Sequence, residues 1–123
     1  MQVKEPERWY PPQPRRGPSY PIEIELPGLG RIIGETKHDE NHRMTEFALI
    51  AQVFLADAWW DVVRIDTDHA EVHAHYMYRV RDYNDREKIH SIYCQNDVDR
   101  GYQLAEKLLI ARWAENVMRW RSG

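Results

Sequence analysis

The sequence predicts an α+β fold: a twisted antiparallel sheet of about five to six strands, one C-terminal α-helix packed on one of its faces, and an extended proline-rich N-terminal arm. Three observations carry this. Alternation of apolar and polar residues recurs in short segments between residues 22 and 94, only short polar links separate the later ones, and helical spacing appears only in the last quarter of the chain. Strands first and helix last, with no alternating crossover units, exclude a parallel α/β sheet.

At 123 residues, 42% apolar and 30% charged, the chain can bury one core and hardly two. Residues 1–21 are therefore assigned to the arm and residues 22–123 to a single domain. The net charge of −3 gives no global basicity, so a nucleic-acid site would need a local patch. A single cysteine, Cys94, excludes an intrachain disulfide framework and a cysteine-based zinc set. With no apolar leader and no long apolar run, the expectation is a cytoplasmic protein without a membrane partner.

Six of the seven prolines fall within residues 1–21, in and around "ERWYPPQPRRGPSYP", which suits extended or polyproline II chain. Trp9 and Tyr10 are its natural anchors on a partner surface. Pro11, Pro14 and Arg16 have the spacing that SH3 domains bind, although a strap held by Trp9 and Tyr10 explains the same residues. Next, "YPIEIELPG" sets Ile22, Ile24 and Leu26 against Glu23 and Glu25, a half-buried strand, and "RIIGETK" is a weaker second one. "TEFALIAQVFLA", "WWDVVRID", "AEVHAHYMYRV" and "EKIHSIYC" follow as strands joined by hairpins. In "DVDRGYQLAEKLLIARWAENVMRWR", Tyr102, Ala105, Leu109, Trp113, Val117 and Trp120 form one helical stripe, capped by Asn96 or Asp97.

Pairing Leu55 with Trp59 and Ile65 with Ala70 makes the faces consistent. Phe47, Leu49, Ala51, Val53, Leu55, Trp59, Val63, Ile65, Ala70, Val72, Ala74, Tyr76 and Tyr78 then form the core face, with Asp61 out of character. The opposite face collects Ile50, Gln52, Phe54, Trp60, Val62, Arg64, Asp66, His69, Glu71, His73, His75 and Met77, and it sets Arg64 opposite Glu71.

That second face is where function is expected. His69, His73 and His75 share parity with Glu71, and alternate strand residues are close enough for two imidazoles to share a metal. The surrounding "HAHYMYRVRD" lacks the glycines and glutamate of a cupin metal motif, so no metal and no cofactor is assigned. Used without metal, the same imidazoles suit acid–base catalysis near neutral pH. Arg64, Arg79 and Arg81 suit phosphate oxygens, and Trp60 suits a stacked base. A third use is docking: Phe54 and Trp60 are large aromatics on a face that a partner, a second copy or the arm would cover.

The stretch "VVRIDTDHAEVHAHYMY" resembles small bacterial toxins of the TumE-like group, which carry an arginine, a short residue, an aspartate and then histidines in a turn and on the following strand. Val63, Arg64, Asp66, His69, His73 and His75 match that order. Ile65 stands where a tyrosine is usual, and Thr67 and Asp68 replace an Asn-Ala-Pro turn. The resemblance implies a toxin acting on RNA and neutralised by a cognate antitoxin, with Asp66 and the three histidines as catalytic candidates. Two functions are thus expected: a metal-independent ribonuclease of a toxin–antitoxin pair, or a non-enzymatic subunit docking onto a larger assembly.

Overall fold

The computed structural model describes residues 17–123 apart from His69. Six strands, β1 (Ser19–Leu26), β2 (Gly30–His38), β3 (Met44–Leu55), β4 (Ala58–Asp68), β5 (Glu71–Tyr76) and β6 (Asp85–Ser91), precede helices α1 (Gln95–Ala111) and α2 (Trp113–Ser122). The strands lie in sequence order and every neighbouring pair is antiparallel. The α+β class and the antiparallel sheet are therefore as the alternation predicts. Most of the expected arm, including Trp9, Tyr10, Pro11, Pro14 and Arg16, lies outside the described residues. Its last three residues, Ser19 to Pro21, already belong to β1.

The helical segment departs from the prediction: two helices, not one, cover the sheet. Arg112, with φ −103° and ψ 16°, ends α1, yet its N–H still reaches the Leu108 carbonyl and its carbonyl accepts from Asn116. The junction is thus a bend that keeps the buried stripe in phase. Val98, Gly101, Ala105, Leu109, Trp113, Asn116 and Trp120 are buried along it, three or four residues apart. Two glycines permit close packing. A Cβ on Gly30 would sit 2.5 Å from the Trp113 indole, and one on Gly34 would sit 1.9 Å from the Ala48 carbonyl oxygen.

The start of α1 also differs. Cys94 is the N-cap, and Asp97 is the third helical residue, its carboxylate accepting from the backbone N–H groups of Tyr93 (2.8 Å) and Cys94 (3.2 Å). Those bonds, the Tyr93 one first, hold the Asp97 carboxyl below its ordinary pKa against the opposing effect of burial.

The central hairpins set the faces. β3 and β4 join through Ala56 and Asp57, both with left-handed φ (52° and 60°), so Leu55 pairs with Ala58. That two-residue turn matches strand twist. Between Ala51↔Val63 and Gln52↔Asp61 the register slips, leaving Val62 as a bulge residue. One extra residue inverts parity along the rest of the strand. Trp60 therefore lies on the helix-covered face, its ring 5.9 Å from that of Trp120 and its indole N–H donating to the Leu55 carbonyl. Trp59 takes the open face beside Phe54. The assignment of Trp59 to the core and of Trp60 to the open face is corrected by this bulge, and Asp61 ceases to be an exception.

Candidate functional site

The helices leave one side of the sheet without a helical cover, and the strand pairing orders it into transverse rows. One row runs Glu23, Ile33, Ile50, Arg64, His75, Arg86 across all six strands; the next runs Pro21, Glu35, Ala48, Asp66, His73, Lys88. A shorter row of Glu25, Arg31, Gln52 and Asp61 lies on the other side of the first. On this face β1 carries the acids Glu23 and Glu25, β6 the cations Arg86 and Lys88, and β2 both signs.

The β4–β5 turn is tighter than expected. Asp68 pairs with Glu71, so Arg64 faces His75, not Glu71, and Asp66 faces His73. Parity survives because the slip is an even number of residues. His75 and Asp66 therefore meet: Nε2 of His75 lies 3.3 Å from Oδ1 of Asp66, while Nε of Arg64 lies 2.8 Å from Oδ2. His73 turns the other way, with Nε2 3.1 Å from a Glu71 carboxylate oxygen and Nδ1 buried without a hydrogen-bond partner. A general acid or base needs a ring nitrogen within reach of substrate. In His73 one of the two, Nδ1, is buried.

The remaining candidates are dispersed. His69 lies outside the described residues. Arg79 and Arg81 sit beyond β5 at the end of α2: the Arg79 N–H donates to the Trp120 carbonyl, and the Arg81 guanidinium lies over Tyr78 and Tyr83. Neither joins Arg64. Trp60, expected to stack bases or a partner, is turned to the helices. Beside Asp66 lies a small depression of about 160 Å³, walled by Glu35, Lys37, Glu46 and Arg64. Three carboxylates against two cations make it a poor seat for phosphate. Among the described residues no three His, Cys, Asp or Glu side chains converge on a metal position.

Trp59, not singled out for the open face by alternation, is its largest accessible feature at 39% exposure. The Arg31 guanidinium lies 3.9 Å from its ring centre. Arg31 is itself fixed by donating to Gln52, which donates to Asp61. Cation–π contact and a hydrogen-bonded chain hold the indole in place. Trp59 also lines an open cleft of about 740 Å³ with Glu23, Glu25 and Leu29. Only the bulge at Val62 would have revealed it, and bulges carry no reliable sequence mark without glycine.

A second cluster was also hidden. Asp97 draws His90 (3.7 Å) and the Cys94 thiol (3.6 Å) to one carboxylate, although His90 and Cys94 are four residues apart on an extended chain. The thiol donates to a carboxylate, the arrangement of a helix cap and not of an activated nucleophile.

No helix among the described residues is long and apolar enough to cross a membrane. The chain belongs to the DUF7718 family, a domain of unknown function, which matches residues 21–123. Neither the curated proteins nor the solved structures contain a match.

Proposed function

We propose that this DUF7718 domain is a non-enzymatic interaction subunit that docks through the open face of its sheet. The observation that carries this is the pairing of Trp59 and Phe54, ring centres 5.3 Å apart, on a face that neither α1 nor α2 covers. Large exposed aromatics on a rigid, hydrogen-bonded platform are the usual anchors of protein interfaces. Ile33 and Ile50, paired across β2 and β3, extend the apolar part. The histidines fit a supporting role, since Nε2 of each lies beside a carboxylate, His73 by Glu71 and His75 by Asp66.

A photo-crosslinking residue replacing Phe54 should give a discrete protein adduct in the native host, while the same residue replacing Ile110, exposed on α1, should give none. Equal labelling, or none at position 54, removes the docking reading.

A second reading draws support from the nearness of a carboxylate to an imidazole, Asp66 Oδ1 lying 3.3 Å from Nε2 of His75 and accepting no other hydrogen bond, since a neighbouring carboxylate is how a general base is set. Together with the TumE-like resemblance it makes the chain a ribonuclease toxin. Induced expression should then arrest growth, and the His73→Ala, His75→Ala double variant should not. On the docking reading both proteins are equally tolerated, and the purified chain leaves RNA intact in a chelator.

A further inference from the structure

We infer that the occupant of the open face is a second copy of this chain, stacked face to face about a two-fold axis running along the strands, which rests on the docking reading and names its partner. Charge selects this arrangement. On this face β1 carries only acids, Glu23 and Glu25, and β6 only cations, Arg86 and Lys88, at opposite sides, while β2 between them mixes Glu35 with Arg31 and Lys37. Rotation by half a turn about an axis parallel to the strands places β1 of one copy over β6 of the other, and does so twice. In the longest row, Glu23 then faces the second copy's Arg86, and Ile33 faces its His75. An in-plane axis across the strands would instead put β1 on β1 and acid on acid, which is repulsive.

The charges concerned are available. Among the described residues Glu23, Glu25 and Lys88 enter no ion pair, and the Arg86–Asp68 contact is long, at 3.7 Å, between half-exposed groups. The same axis runs between β3 and β4 and lays Phe54 of one copy near Trp59 of the other.

The area suffices. Six strands about 4.8 Å apart, over four rows about 6.7 Å apart, present roughly 700 Å² per copy. Two such faces bury about 1,400 Å², within the range of specific interfaces. Stacked sheets of this kind pack aligned, as in sandwich domains. The interface is isologous, so it closes at two copies and does not propagate.

Sedimentation equilibrium of the full chain should give a dimer at micromolar concentration, loosened by salt. Arg86→Glu with Lys88→Glu, and separately Glu23→Lys with Glu25→Lys, should each raise the dimer dissociation constant at least about tenfold, with circular dichroism unchanged. The chain carrying all four reversals should regain the wild-type constant, because acid and base have only exchanged places. A monomeric wild type, or a folded quadruple variant no tighter than the doubles, overturns the proposal. A monomer whose position-54 adduct holds a different protein overturns the second copy and leaves docking standing, whereas an adduct to residues 1–16 of its own chain removes both. Absence of any position-54 adduct removes both.

Discussion

Trp59 and Trp60 are adjacent in sequence and lie on opposite sides of the sheet, and the bulge at Val62 decides which is which. Alternation alone assigns Trp59 to the core, because a run of period-2 pattern is extrapolated through the place where the period fails. The one warning in the sequence is Asp61, which that extrapolation buries. Placing the slip there turns Asp61 to Gln52 on the open face, where its carboxylate accepts a 2.7 Å hydrogen bond. The assignment has a thermodynamic consequence. Trp60→Ala should cost about 3 kcal/mol, since it removes the ring packed on Trp120 and the indole hydrogen bond to the Leu55 carbonyl. Trp59→Ala should cost about 1 kcal/mol, chiefly its contact with Arg31. Urea denaturation of the two variants separates them, and the reverse order would place the bulge elsewhere. The histidine row was legible for the same reason that the tryptophans were not: β5 and the second half of β4 pair without interruption, so His73 and His75 keep their face even though the turn was misplaced.

At the scale of elements, strand existence was readable and strand partners were less so. Each strand advertises itself through side chains that must alternate between water and core, whereas pairing register depends on turn geometry, such as the left-handed pair Ala56 and Asp57, that alanine does not announce. The helix was likewise readable as a stripe, and its bend at Arg112 was not, because the buried residues stay in phase across it. Its start illustrates a different failure. Asp97 looks like a cap residue and serves the cap from the third helical position, where it ties down the chain leaving β6. Its folded pKa lies below the unfolded value of about 3.9, so its stabilising effect is full above that value and is lost as pH falls through the folded pKa. Asp97→Asn should therefore lower stability by about 1 kcal/mol at neutral pH and flatten the fall in melting temperature between neutral pH and pH 3. A variant whose acid sensitivity equals that of wild type would show that other carboxylates carry the effect.

The whole molecule limits where a partner can bind. A six-stranded meander has two open edges, and both are guarded. On β6, "DREK" alternates so that Arg86 and Lys88 lie on the open face, while Asp85 and Glu87 turn to the other and accept the hydroxyls of Tyr78 and Tyr76. Antiparallel pairing of two β6 strands would set like charges opposite one another on both faces. On β1 the guard is Pro21. The His38 N–H donates to the Pro18 carbonyl, so residues 18, 20, 22 and 24 direct their backbone groups toward β2, and residues 19, 21, 23 and 25 direct theirs outward. Pro21 thus removes a donor from the free edge at no cost to the ladder inside. Among the described residues, with the edges blocked and the helices on one side, the remaining large surface is the face that holds Trp59. This gives Pro21 a test that is independent of the face. Pro21→Val restores the outward N–H in a strand already flanked by Tyr20, Ile22 and Ile24, all apolar and on one side. Heating with light scattering should show aggregation beginning at a lower temperature than in wild type, while the melting temperature from circular dichroism shifts little. Unchanged onset would mean that Glu23 and Glu25 guard the edge without help from the proline.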